Sequence, residues 1–137
     1  SGVFGYSIVT IGSITLVRHT DRDHFLASLD TSGQALWGVA GFGNSSEIPG
    51  GLAVDNQGNV IIVGQSTGFP ATDTLGFGNV ILVNPYPSSR MLYVFKFSSG
   101  GTVLWGRQIY TQNGLGYDCY MGEVGVDSTG YFYRCSR

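Results

Sequence analysis

Four copies of one turn constrain this chain more than any other feature: Asp30-Thr31-Ser32-Gly33, Asp55-Asn56-Gln57-Gly58, Ser98-Ser99-Gly100-Gly101 and Asp127-Ser128-Thr129-Gly130. In each, an Asp or Ser oxygen can accept from a backbone N–H two residues on. Gly in the fourth place takes the positive φ of a type I turn with a following bulge. Each turn sits between short runs of alternating apolar residues, the pattern of a β-hairpin. Asp30 and Ser98 stand about 70 positions apart, as do Asp55 and Asp127, so the repeated unit is a pair of hairpins.

Composition agrees with an all-β chain. Only 12% of the 137 residues are charged, 22 are Gly and 13% are aromatic, while strong helix formers are scarce. The length suits one domain with a core of its own. A net charge of −2 with a single lysine, Lys96, supplies no basic stripe, which excludes nucleic acid as a partner. No apolar run approaches the roughly 20 residues of a membrane-spanning helix, so no membrane insertion is expected. The chain opens at Ser1 without a leader and reads as a processed protein or a fragment.

Phe25, Ala27 and Leu29 lead into the first turn and Leu36-Trp37 leave it; Leu92, Val94, Phe95 and Phe97 lead into the third and Leu104-Trp105 leave it. Trp37 and Trp105 thus occupy equivalent places, and each is expected to fill the core of its own sheet. The other hairpin runs from Leu52 to Gly64 and recurs from Val124 to Tyr133. Two repeated four-stranded antiparallel units follow, at about 23–66 and 90–137, within one domain of residues 18–137. A loop insertion at 67–89 carries Val80–Val83 as a short extra strand.

Residues 1–17 form a separate segment. Tyr6–Gly12 aligns with Val60–Ser66, the second strand of a hairpin, yet lacks a first strand. An extra N-terminal strand without its partner would be an aggregation hazard unless something covers it.

The run Gly50-Gly51-Leu52-Ala53-Val54-Asp55-Asn56-Gln57-Gly58-Asn59-Val60-Ile61-Ile62-Val63-Gly64, continued to Phe69-Pro70, resembles the signature of the SBBP-type β-propeller repeat family. Asp23–Asp30 followed by Gly33 and Leu36-Trp37 is similar to the second half of that repeat. The likeness covers most of residues 6–137. It departs from the pattern at Tyr93–Phe97, which lacks the leading Asp, and at Tyr131–Arg134, which replaces a Gly-Asn-aliphatic run. The resemblance implies extracellular or cell-surface proteins built of four-stranded sheets, and brings no catalytic residues. A propeller closes typically four to eight blades, and two units do not make a ring. The expected architecture is therefore a β-sandwich or a partial propeller, completed by copies of the chain or by further chain.

Candidate chemistry is sparse. Arg18–His24 gathers both histidines, His19 and His24, with Asp21 and Asp23, but strand alternation would send Asp23 and His24 to opposite faces. With no distant ligand, the cluster reads as a solvated loop and not a metal site. Glu47, Asp118 and Glu123 show no paired partner for acid–base work, so no catalytic residue, metal or cofactor is expected. Tyr110, Tyr117, Tyr120, Tyr131 and Tyr133 form a candidate ligand face for sugar or protein. Cys119 and Cys135 are a candidate disulfide, and Asn44-Ser45-Ser46 is a glycosylation acceptor sequence at Asn44.

The functional expectation is a non-enzymatic structural subunit of an extracellular filament or other homopolymer. Copies would join head-to-tail as the N-terminal strand adds to a neighbour through Val3, Phe4, Tyr6, Ile8, Val9, Ile11, Ile14 and Leu16. The alternative is a fragment of a β-propeller module binding carbohydrate or protein.

Overall fold

The computed structural model describes residues 1–19, 22–66, 72–86, 90–109, 123–130 and 132–134, and these are all-β. In chain order the strands are β1 (Gly2–Phe4), β2 (Ile8–Ile11), β3 (Ile14–Val17), β4 (Asp23–Leu29), β5 (Ala35–Ala40), β6 (Phe42–Gly43) and β7 (Glu47–Val54). They continue as β8 (Val60–Ser66), β9 (Asp73–Phe77), β10 (Val80–Asn84), β11 (Met91–Phe97), β12 (Val103–Ile109), β13 (Val124–Val126) and β14 (Phe132–Arg134).

The four turns form as their residues dictate. The N–H groups of Gly33, Gly58, Gly101 and Gly130 each donate to the carbonyl three residues back, at 3.0 Å, with φ between 80° and 86°. Asp30 Oδ1 accepts from the N–H of Ser32 and Gln34, Asp55 Oδ1 from Gln57 and Asn59, and Asp127 Oδ1 from Thr129. Ser98 Oγ accepts the Thr102 N–H at 3.2 Å. A third hairpin type accompanies them: β2–β3 and β9–β10 turn through Gly12-Ser13 and Gly78-Asn79, with each Gly again at positive φ.

All three hairpin types recur in one register. Ile11↔Ile14 corresponds to Phe77↔Val80, Ser28↔Trp37 to Lys96↔Trp105 with the same bulge one residue on, and Val54↔Val60 to Val126↔Phe132. The segment at 67–89 is thus more than a loop: Leu75, Phe77 and Leu82 of β9–β10 enter the core.

The sheets cut across the sequence units. β7–β8 pairs with β11–β12 in a four-stranded sheet of order β12-β11-β8-β7, which joins the second hairpin of one unit to the first hairpin of the next. The remaining sheets are β1-β4-β5, β10-β9-β6, β13-β14 and β2-β3. The first unit's two hairpins, β4–β5 and β7–β8, thus lie in different sheets. Every residue of the central strand β8 is buried, and the main core gathers Leu26, Val60, Ile62, Met91, Tyr93, Phe95 and Phe97 with the β9–β10 side chains. Phe77 packs edge-on against Phe95 and Phe97, with ring centroids 4.9 and 5.3 Å apart.

The N-terminal expectation is also corrected. β2 is not partnerless, because Ile8–Ile11 pairs with Ile14–Val17 of its own chain. The strand that lacks a full hairpin is β1, which pairs with the start of β4. Register alone could not show this, since Tyr6–Gly12 carries the same apolar alternation whichever partner it takes.

Candidate functional site

Two features invite a functional reading: a buried polar cluster between the units, and the open strand edges near the N-terminus. The cluster begins where β4 opens. Asp23 and His24 are both buried, so alternation does not send one of them to solvent. β1 and β5 flank β4 in its sheet, and its backbone also reaches two neighbouring segments: Gly41 N–H donates to His24 O at 2.8 Å and Glu47 N–H to Arg22 O at 2.9 Å. The expectation of a solvated loop is corrected for these two residues, while His19 stays exposed.

His24 Nδ1 and Tyr93 Oη lie 2.9 Å apart, a buried hydrogen bond between β4 and β11. The hydroxyl fits only because residue 64 is glycine: a Cβ there would stand 2.3 Å from Tyr93 Oη and 2.7 Å from the Ile48 carbonyl oxygen. Glu47 Oε2 accepts the His24 N–H at 3.3 Å. Asp73 is held at both oxygens, by the hydroxyls of Ser45 and Ser66, and Asp23 accepts the His19 N–H.

Electrostatics neutralise the centre of this cluster. Burial, then the Asp23 carboxylate and more weakly Asp73, push the Glu47 carboxyl up to about 8, against the partial relief of the His24 N–H. Burial, reinforced by the N-terminal ammonium, pushes His24 down to about 3. Burial and the neighbouring Glu47 hold the Tyr93 hydroxyl well above its ordinary range. At neutral pH all three groups are uncharged.

Asp23, His24 and Glu47 are at 0% exposure, so their polar atoms face protein and not solvent. Among the described residues no group of three His, Cys, Asp or Glu is arranged to hold a metal ion. The arrangement is a polar pin through the core, joining strands of the two units.

Sequence reasoning left Glu47 without a partner, and the fold brings Asp23, Asp73 and Tyr93 to it. One signal was available. Asp23-His24 stands in β4 where Met91-Leu92 stands in β11, and a polar pair at positions that the sister strand fills with apolar residues marks a buried polar site.

No family model matches this chain, and no curated protein does. Function must be read from the molecule's own surfaces.

Of the expected interface residues, Phe4 and Leu16 are buried in the chain's own core. Val9, Ile11 and Ile14 are half-buried on the face that meets β5, where Ile14 and Leu16 pack over Gly38. Val3, Tyr6 and Ile8 remain exposed, and Ile8 faces its exposed cross-strand partner Val17.

Trp37 is half-buried and packs against the main core, and its indole Nε1 also donates to the Ser99 carbonyl of the sister unit's turn at 2.8 Å. Asn44 Nδ2 donates to Thr72 O at 2.7 Å and its Oδ1 accepts the Thr74 N–H, so its side chain bridges to the start of β9. Tyr110, Tyr117, Tyr120, Tyr131, Cys119 and Cys135 lie outside the described residues. Tyr133 is placed only as a strand residue opposite Gly125.

Proposed function

We propose that the protein is a non-enzymatic structural subunit that assembles head-to-tail with copies of itself, at the cell surface or outside the cell. The observation that carries this reading is that equivalent turns of the two units touch. Trp37 of the first-turn hairpin reaches the Ser98–Gly101 turn, and Asn56 Nδ2 of the second turn donates to Ser128 O of the fourth at 3.1 Å. A surface that receives its own sequel within the chain presents the same kind of surface at the next step, and such a heterologous contact propagates into a ring or a fibre. The sealed polar cluster supports a non-enzymatic role. The paired β2 shifts the reading from strand donation by residues 1–17 toward docking of unit on unit.

A second reading is a piece of a β-propeller binding module, in line with the resemblance to SBBP-type repeats. The four-stranded antiparallel sheet β12-β11-β8-β7 favours it.

Light scattering with negative-stain imaging of the purified chain separates the two. Assemblies of several chains are expected for the structural subunit, whereas a monomer at every concentration tested rejects it.

A further inference from the structure

Within the chain, β8 covers the whole of β11, from Met91↔Ser66 to Phe97↔Val60. The corresponding edge of β4 is covered only in part. β1 pairs with Asp23, His24 and Phe25, in the register in which Ser66, Gln65 and Gly64 pair with Met91, Leu92 and Tyr93. Leu26–Leu29 has no strand on that side among the described residues. Burial reports the same gap: Leu29 is 50% exposed, whereas Phe97, at the equivalent place before its turn, is 0% exposed.

The hairpin that would fill the gap is already in the sequence. β13–β14 reproduces the register of β7–β8, with Val126↔Phe132, Gly125↔Tyr133 and Val124↔Arg134 standing where Val54↔Val60, Ala53↔Ile61 and Leu52↔Ile62 stand. Among the described residues the outer edge of β14 is unpaired. In its own chain this hairpin is pinned beside β7: Asn56 binds the Ser128 carbonyl, and Gly51 admits the backbone of Val124 so closely that a Cβ would stand 2.8 Å from its nitrogen.

We infer that the open edge of β4 receives β14 of a second copy. β14 of one copy and β1 of the next then stand end to end where the single strand β8 stands within the chain. This rests on the head-to-tail reading above and gives it a register: Phe132 opposite Leu29, Tyr133 opposite Ser28, Arg134 opposite Ala27. β14 takes the places of Val60–Ile62 and β1 those of Gly64–Ser66, leaving the place of Val63 between them. The joint closes a four-stranded sheet at each contact, satisfies two open backbone edges and covers Leu29. Two sheets per copy would bring two to four copies to the four to eight sheets of a closed ring; a rotation that does not close gives a fibre.

The test is disulfide trapping between differently labelled copies. One population carries Leu29→Cys and the other Phe132→Cys, both with Cys119→Ser and Cys135→Ser. Directly opposed antiparallel residues have Cα separations of about 4.5–5.5 Å, within disulfide range. On oxidation the mixture is expected to give a covalent dimer several-fold in excess of a control mixture of Leu29→Cys with Val17→Cys. Ser28→Cys with Tyr133→Cys, one residue along, serves as a second pair. Equal yields in test and control mixtures, or no dimer from either pair, overturn the inference. Light scattering on the unsubstituted chain separates the two levels: assemblies without the specific cross-link sink the strand register alone, and a monomer sinks the head-to-tail reading with it.

Discussion

Lys96 Nζ lies 2.9 Å from Asp55 Oδ2, so the one lysine of the chain ties the turn between β7 and β8 to the neighbouring strand β11. The Lys96 ammonium, then the Asn59 side chain, hold the Asp55 carboxyl well below its ordinary range. Asp55 Oδ1 meanwhile accepts two backbone N–H groups of its own turn. Asp55→Asn keeps a turn acceptor and loses the ion pair; Asp55→Ala loses both. Thermal melts are expected to rank parent above Asn above Ala, with the gap between parent and Asn narrowing as salt is added. Because the folded value is depressed, this contribution is in place above the ordinary Asp value of 3.8 and is lost as pH falls below it.

The buried cluster predicts a stability plateau with two falling sides. Glu47, raised from 4.5 to about 8, is protonated in the fold, so its contribution is complete below 4.5 and is lost as pH climbs toward 8. His24, lowered from 6.5 to about 3, is neutral in the fold, so its contribution is complete above 6.5 and is lost as pH drops toward 3. The two slopes oppose each other between 4.5 and 6.5, leaving stability lost below and above that window. Glu47→Gln is expected to remove the alkaline fall between pH 6.5 and 8 while leaving the acid side in place. Denaturant midpoints measured at unit pH steps check this, and an unchanged alkaline limb in the Gln variant would contradict it.

Gly64 and Tyr93 are predicted to be coupled. Gly64→Ala drives a methyl into both the Tyr93 hydroxyl and the Ile48 carbonyl, with an expected cost of about 1–3 kcal/mol. Tyr93→Phe leaves His24 Nδ1 without its bond, at about 1–3 kcal/mol. The double variant should lose only modestly less than the sum, because removing the hydroxyl relieves one contact while the ring Cζ, at 2.4 Å, and the Ile48 carbonyl oxygen still oppose the new Cβ. A double-mutant cycle from urea unfolding reads the difference.

Three turn glycines separate backbone strain from packing. Gly33 and Gly130 have φ near +85° and open space around a Cβ, whereas Gly101, at the same φ, would put its Cβ 2.7 Å from the Trp37 ring. Gly33→Ala and Gly130→Ala are each expected to cost about 1–2 kcal/mol, the strain of an L side chain in the left-handed region. Gly101→Ala should cost measurably more, and the excess should vanish in a Trp37→Ala background.

How far these features were legible in the sequence follows from the range of the interactions behind them. The Asp-x-x-Gly turns were legible because a carboxylate bonding its own backbone and a glycine at positive φ are local events, decided within five residues. Gly12-Ser13 and Gly78-Asn79 are local too, but short enough that residues 1–17 read as a segment with one extra strand, Tyr6–Gly12, and no hairpin. Strand partners were not legible: Val60–Ser66, apolar through Val63 and buried throughout, could pair with β11 or with any other strand, and loop closure and packing chose. Glu47 met Asp23, Asp73 and Tyr93 for the same reason, since all lie far from it along the chain.

The sequence by itself determined an all-β chain, its hairpins and their turn chemistry, because those depend on side chains and backbone within a few residues of one another. Tertiary structure alone decided that β8 joins β11 across the boundary between units and that His24 meets Tyr93 beneath a glycine. It also decided that β1 and not β2 is the partial strand, since each of these outcomes depends on which surfaces exclude water together.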